Sequence, residues 1–185
     1  MKIHIDWVGA YTLEEVRELT NSDDYGIYQI YGTHPIYGSD VLLYIGKADR
    51  QTLGVRIPQH EKWAYTSDVN NIKVYTGRLG SNEDVTDEEW SRLIDIAERL
   101  LIFTHKPAFN SSSINTMSKV KVPIEAHVFN WGNHRSLMPE VSAFRYLATD
   151  SEHFATYRNF GEQNSHNKQF KRDSQRLALL LLLQF

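Results

Sequence analysis

Three kinds of hydrophobic rhythm divide this chain. Ile3, Ile5 and Trp7 alternate with polar residues, which predicts a short strand. Thr12-Leu-Glu-Glu15 is a capping box, and Val16 to Leu19 continues it as a short helix that ends near 21–24. Two β-type runs follow, Tyr25 to Tyr31 and Val41 to Ile45, separated by the turn-rich stretch Gly32–Asp40, so they read as a hairpin with a long loop. A helix beginning near Gly54 or Val55 would keep Pro58 in its first turn and run through Trp63. Ile72 to Thr76 alternates as a third strand, closed by Gly77 to Gly80.

The longest periodic segment comes next. Thr86-Asp-Glu-Glu89 is a second capping box, and Trp90, Leu93, Ile94, Ala97, Leu100 and Leu101 recur at helical spacing, predicting a helix over 87–105 that Lys106-Pro107 ends. Glu98 lies at the border of that apolar stripe, between Ile94 and Ile102, while Glu88 and Asp95 point to the wet side. Residues 111–121 read as a Ser/Asn-rich loop, Ile124 to Phe129 as a strand, and Asn130 to Asn133 as a turn. Pro139 is expected to start a helix through Phe144 and Leu147.

Composition narrows the classes. A chain of 185 residues with 41% apolar and 12% aromatic content suits one domain with an elaboration, or two small ones. There is no cysteine, which excludes disulfides and cysteine-ligated zinc modules. Met1 to Trp7 has no continuous apolar run, and the longest such run, Leu177 to Leu183, is far shorter than the ~20 residues a membrane span needs. The expectation is a cytoplasmic protein with no membrane partner. Leu177–Leu183 is expected as a helix packed on this domain or on a second subunit, which would make a homodimer. The net charge of −3 is unlike that of general nucleic-acid binders. Basic residues are nevertheless concentrated at Lys47, Arg50, Arg56 and Lys62, and again from Arg158 to Arg176, where Lys168, Lys171 and Arg172 are candidate DNA contacts.

Gly26-Ile27-Tyr28 and Tyr44-Ile45-Gly46-Lys47 place two phenols on paired strands with a lysine just beyond. Arg56 and His60 follow, four apart on one helical face, then Glu98, Lys106-Pro107 and Asn110. This ordered set resembles the GIY-YIG nuclease family over residues 25–110. The resemblance implies an α/β (α+β) fold with a small, mostly antiparallel three-stranded sheet flanked by helices. Residues 1–24 would then be an N-terminal extension, and 111–185 a C-terminal extension for substrate contact or dimerisation. Lacking a zinc module, the chain is closer to restriction-type or stand-alone members.

The resemblance also implies roles. Tyr28 takes the proton of the attacking water, with His60 assisting or sharing it, and Tyr44 orients the water or a phosphate oxygen. Arg56 clamps phosphate, because its planar fork meets two oxygens and keeps its charge. Glu98 would hold Mg²⁺ or Mn²⁺, a cation that retains several waters and so accepts a sparse protein shell. Asn110 would bond backbone near the site, Gly46 would leave room for close approach, and Lys47 would add positive charge. The implied activity is metal-dependent hydrolysis of phosphodiester bonds in DNA. The alternatives are a non-catalytic module that binds nucleic acid or protein, and a nuclease acting on RNA or branched DNA. Taken one at a time, each tyrosine also reads as a core aromatic, Arg56 as a surface arginine and Glu98 as a boundary glutamate.

Overall fold

A computed structural model describes residues 1–59, 69–80, 85–117 and 121–147. Its elements are β1 (Lys2–Tyr11), α1 (Leu13–Val16), β2 (Gly26–His34), β3 (Gly38–Ala48), α2 (Leu53–Arg56), β4 (Lys73–Gly80), α3 (Asp87–His105), β5 (His127–Gly132), β6 (Glu140–Ser142) and α4 (Phe144–Leu147). Met1–Leu147 forms one compact unit.

The class is mixed α and β, but the sheet has six strands rather than three, in the order β3-β2-β4-β1-β5-β6. The expected antiparallel trio is there as β3-β2-β4, and it continues outward. β1 pairs antiparallel with β4 and parallel with β5, so the N-terminal strand lies inside the sheet. A local alternation pattern shows that a strand forms, not which edge it will join.

The region after 121 also departs from expectation. β5 runs through Asn130 and Trp131 to Gly132, where a turn is predicted from sequence. Asn130 is drawn into the sheet because its side chain accepts a bond from buried Trp7 Nε1 at 2.9 Å and donates one to the Met138 carbonyl at 2.7 Å. After Pro139 strand β6 comes first, since Val128 and Val141 pair across β5 and β6, and the expected helix is present only over its second half, as α4 from Phe144 to Leu147. The hairpin is longer too: β2 and β3 extend to His34 and Gly38, leaving only 35–37 as the turn. His34 Nδ1 accepts from the backbone N–H groups of Ile36 and Tyr37, closing that turn.

Two cores flank the sheet. On one face Ile94, Ala97, Leu100 and Leu101 of α3 pack with Ile3, Ile5, Trp7, Ile27 and Ile45. On the other, Val16, Leu53 and Ile57 pack with Tyr28, Ile30, Leu43 and Val74. β2 therefore lies between two apolar layers, and its residues Gly26 to Gly32 are all buried. The first capping box forms completely, Thr12 Oγ1 accepting from Glu15 N–H at 3.2 Å and Glu15 accepting from Thr12 N–H at 2.7 Å. In the second, only Thr86 caps, because the Glu89 carboxylate is taken by Arg92 at 2.7 and 2.8 Å. α3 stops at Lys106, which adopts a left-handed conformation just before Pro107.

Candidate active site

The β2–β3 register sets the geometry. Tyr28 pairs with Gly46, and Ile30 with Tyr44. Residues two apart on a strand share a face, so Tyr28, Gly46 and Tyr44 all point to the same side. The two phenol rings stack with centroids 6.1 Å apart. A Cβ at Gly46 would stand 2.6 Å from both the Tyr28 hydroxyl and Tyr44 Cε1, so the Tyr28 ring occupies the space that any side chain at 46 would need.

The segment after α3 runs along the outer edge of β3. Ala108 and Phe109 donate backbone N–H groups to the carbonyls of Leu42 and Leu43 at 3.2 and 2.8 Å. Asn110 completes the edge with its side chain, accepting from Ile45 N–H at 3.0 Å and donating to the Ile45 carbonyl at 2.8 Å. One buried amide thus does what a paired strand would do, one residue before Gly46.

Beside this edge is a cavity of about 470 Å³ whose lining includes Tyr44, Lys47, Asp49, Arg50, Arg56 and Glu98. β3, the loop after it, α2 and α3 each contribute. Tyr28 lies beneath, fully buried, with its hydroxyl bonded to Arg56. Of the residues singled out from sequence, Tyr28, Tyr44, Arg56, Glu98, Gly46, Lys47 and Asn110 are brought to this one region. His60, Lys168, Lys171 and Arg172 lie outside the described residues, as does the run from Leu177.

Charges around the cavity are interlocked. Lys47 Nζ donates to Asp49 at 2.9 Å and to Asp95 at 3.1 Å. Asp95 also accepts from Arg99 at 2.7 and 3.2 Å. Burial alone would lower the Lys47 ammonium and raise both carboxylates. The mutual bonds win, raising Lys47 and holding Asp49 and Asp95 below their ordinary values. Asp95, expected on the wet side of α3, instead turns to Lys47. Its partners Lys47 and Arg99 come from a different strand and from one helical turn on, and only the latter spacing is visible in the sequence.

Glu98 is the exception. Burial lifts its carboxyl to about 7; Lys47 and Arg99 pull it down, while Asp95 and Asp49 push it back up. Among the described residues no hydrogen bond reaches this carboxylate, and no group of three or more His, Asp or Glu is positioned to hold a metal. Burial also pushes the Tyr28 phenol above its ordinary value, and neighbouring Tyr44 adds to that; the Arg56 guanidinium opposes both without prevailing. Tyr44 is raised for the same first reason, with Glu98 adding to it.

No family model matches the chain, and neither a curated protein nor a solved structure gives a significant match. No helix among the described residues is long and apolar enough to cross a membrane.

Proposed function

We propose that the cavity is the active site of a GIY-YIG-type endonuclease that hydrolyses phosphodiester bonds in DNA. The observation that carries this reading is the convergence of Tyr44, Lys47, Arg56 and Glu98 on one polar cavity, over a buried Tyr28. A core needs Tyr28, but it does not need an arginine bonded to that hydroxyl or a half-buried carboxylate facing the same space.

In this reading Arg56 binds two non-bridging oxygens of the scissile phosphate with its planar fork. The Tyr44 hydroxyl orients the attacking water or a phosphate oxygen. Water adds to phosphorus as the bond to the bridging oxygen breaks. Tyr28, assisted by His60, receives the water's proton. Lys47 contributes charge beside the leaving oxygen, held in place by Asp49 and Asp95. Asn110 fixes Ile45, and with it the strand carrying both Tyr44 and Lys47.

The donor chemistry at Glu98 fits a hard divalent cation: an oxygen ligand in a polar cavity, with no protein hydrogen bond from a described residue to compete. Glu98 would hold Mg²⁺ or Mn²⁺. A cation bound there would supply the positive charge that stabilises the developing phosphate oxyanion. The raised Tyr28 phenol makes the same point from another direction. The arginine beside it leaves the phenol protonated at neutral pH, so a proton-accepting Tyr28 requires more positive charge than Arg56 provides.

That same phenol favours the second reading, a binding module on this scaffold that does not cut. Incubation with supercoiled plasmid and with a single-stranded circle decides between them. Nicking or linearisation in Mg²⁺, abolished by EDTA and lowered by orders of magnitude in Glu98→Gln, is the result the enzyme reading requires. No cutting of plasmid or of a single-stranded circle by the parent protein in Mg²⁺ or Mn²⁺, or equal cutting by Glu98→Gln, overturns it.

A further inference from the structure

A second cavity, of about 660 Å³, adjoins the first: Asp49 and Arg50 line both. It lies where the chain enters β2 and where α3 begins, and two aromatic rings line it, Tyr25 from the former and Trp90 from the latter. Both are half-buried, and Trp90 packs against the main core. Arg78 is anchored at one wall by Asp24, at 2.5 Å, and by the Asp23 carbonyl, at 3.1 Å. Asp23 and Asp87, both exposed, also line the cavity and bring carboxylate acceptors to it.

Charge sorts the two cavities. Arg56 and Lys47 make the first one attractive to phosphate. The second is lined by Asp23, Asp49 and Asp87 against Arg50 and Arg78, and Arg78 is already paired with Asp24, so it is the poorer place for a phosphate; Asp49 is likewise committed to Lys47. Aromatic rings beside carboxylates that pair with no cation among the described residues suit a flat, neutral heterocycle carrying N–H donors. The size is that of a small-molecule pocket, ample for one nucleoside. Arg50, at the junction of the two, is placed for the sugar-phosphate linkage between them.

We propose that this cavity seats the base of the nucleotide next to the scissile phosphate. Tyr25 and Trp90 supply the stacking surface, and Asp23 and Asp87 accept bonds from an exocyclic amine. The inference rests on the nuclease reading for the position of that phosphate. It deepens the reading by naming a substrate class. A base can enter a side cavity only if it is unpaired, so the preferred DNA is single-stranded, or has an unpaired nucleotide beside the cut. Carboxylate acceptors pair with the N4 amine of cytosine, whereas thymine offers a carbonyl at that position, so cytosine is preferred to thymine.

The test is equilibrium binding of the full chain, in EDTA, to equal-length single strands of cytosine, thymine or abasic nucleotides. The parent protein should bind the cytosine strand at least about tenfold more tightly than the abasic strand, the effect of about one stacked base. Trp90→Ala should lose about tenfold on cytosine DNA and nothing on abasic DNA, and Trp90→Phe should retain most of the difference. Asp23→Asn with Asp87→Asn should narrow the preference for cytosine over thymine while leaving stacking intact. If Trp90→Ala does not fold, judged by its circular dichroism, Tyr25→Leu takes its place with the same expectations. A parent protein that binds cytosine and abasic strands alike, or a loss in Trp90→Ala that is equal on both, overturns the proposal. Cutting of plasmid and of a single-stranded circle is read separately: cutting without base discrimination removes the base seat alone, and base discrimination without cutting of either removes only the nuclease reading.

Discussion

Glu98→Gln perturbs one proton equilibrium and almost no volume, so its effect on stability follows from the structure. The carboxyl has an ordinary value of 4.5 and is lifted to about 7 in the fold. In that window the unfolded chain has released the proton while the folded chain still holds it. Stability conferred by the protonated group is therefore complete below about pH 4.5, and it is lost as pH rises through about 7. The displacement corresponds to about 3 kcal/mol. Partial exposure of Glu98 and screening reduce this to roughly 2 kcal/mol in practice. Glutamine is neutral throughout and escapes the loss. The thermal midpoint of Glu98→Gln should match the parent protein's near pH 5 and exceed it above pH 8 by about 4–8 °C, at 2–4 °C per kcal/mol for a chain of this size. Millimolar Mg²⁺ should narrow the gap at pH 8 by raising the parent alone, since a cation at Glu98 stabilises the ionised form. Melts by circular dichroism at several pH values read both effects. A difference between the two proteins that does not change with pH would refute the reasoning.

Three further outcomes are expected. Gly46→Ala places a methyl group 2.6 Å from the Tyr28 hydroxyl, so plasmid cutting should fall by at least about a hundredfold, and near-ultraviolet dichroism should report displaced tyrosines. Asn110→Ala leaves the buried Ile45 N–H and carbonyl without partners and should cost about 2–4 kcal/mol in urea denaturation; Asn110→Asp, which cannot donate, should recover only part. His105 is held neutral, Nδ1–H donating to the Leu101 carbonyl at 2.9 Å and Nε2 accepting from Met138 N–H at 2.9 Å, and burial keeps its value below 6.5. Its contribution is present above pH 6.5 and lost as pH falls below it, so His105→Gln should flatten the acid side of the stability profile measured between pH 7 and 5.

What the sequence by itself determined is local or short-range. The α3 stripe, both Thr caps, the β2–β3 pairing and the position of Glu98 at the stripe's border all depend on residues within a turn or a hairpin of one another, where spacing maps directly to direction in space. The register that brings Tyr28 opposite Gly46 does not belong to this group: two irregularities, between Ile30 and Tyr31 and between Gly32 and His34, shift the pairing that the turn begins, and the sequence shows neither. Other features required the tertiary structure. β1 pairs in parallel with β5, more than 100 residues away, and nothing in the alternation of Ile3, Ile5 and Trp7 carries that information. Asn130 reads as a turn residue until Trp7 offers it a buried donor. Asp95 reads as solvent-facing until Lys47 arrives from another strand and makes half-burial favourable. Strand pairing and the burial of charge are decided by distant partners, whose identity depends on how the whole sheet assembles. That is why the candidate site residues are legible one by one in the sequence, while the ion-pair network and the second cavity that surround them are not.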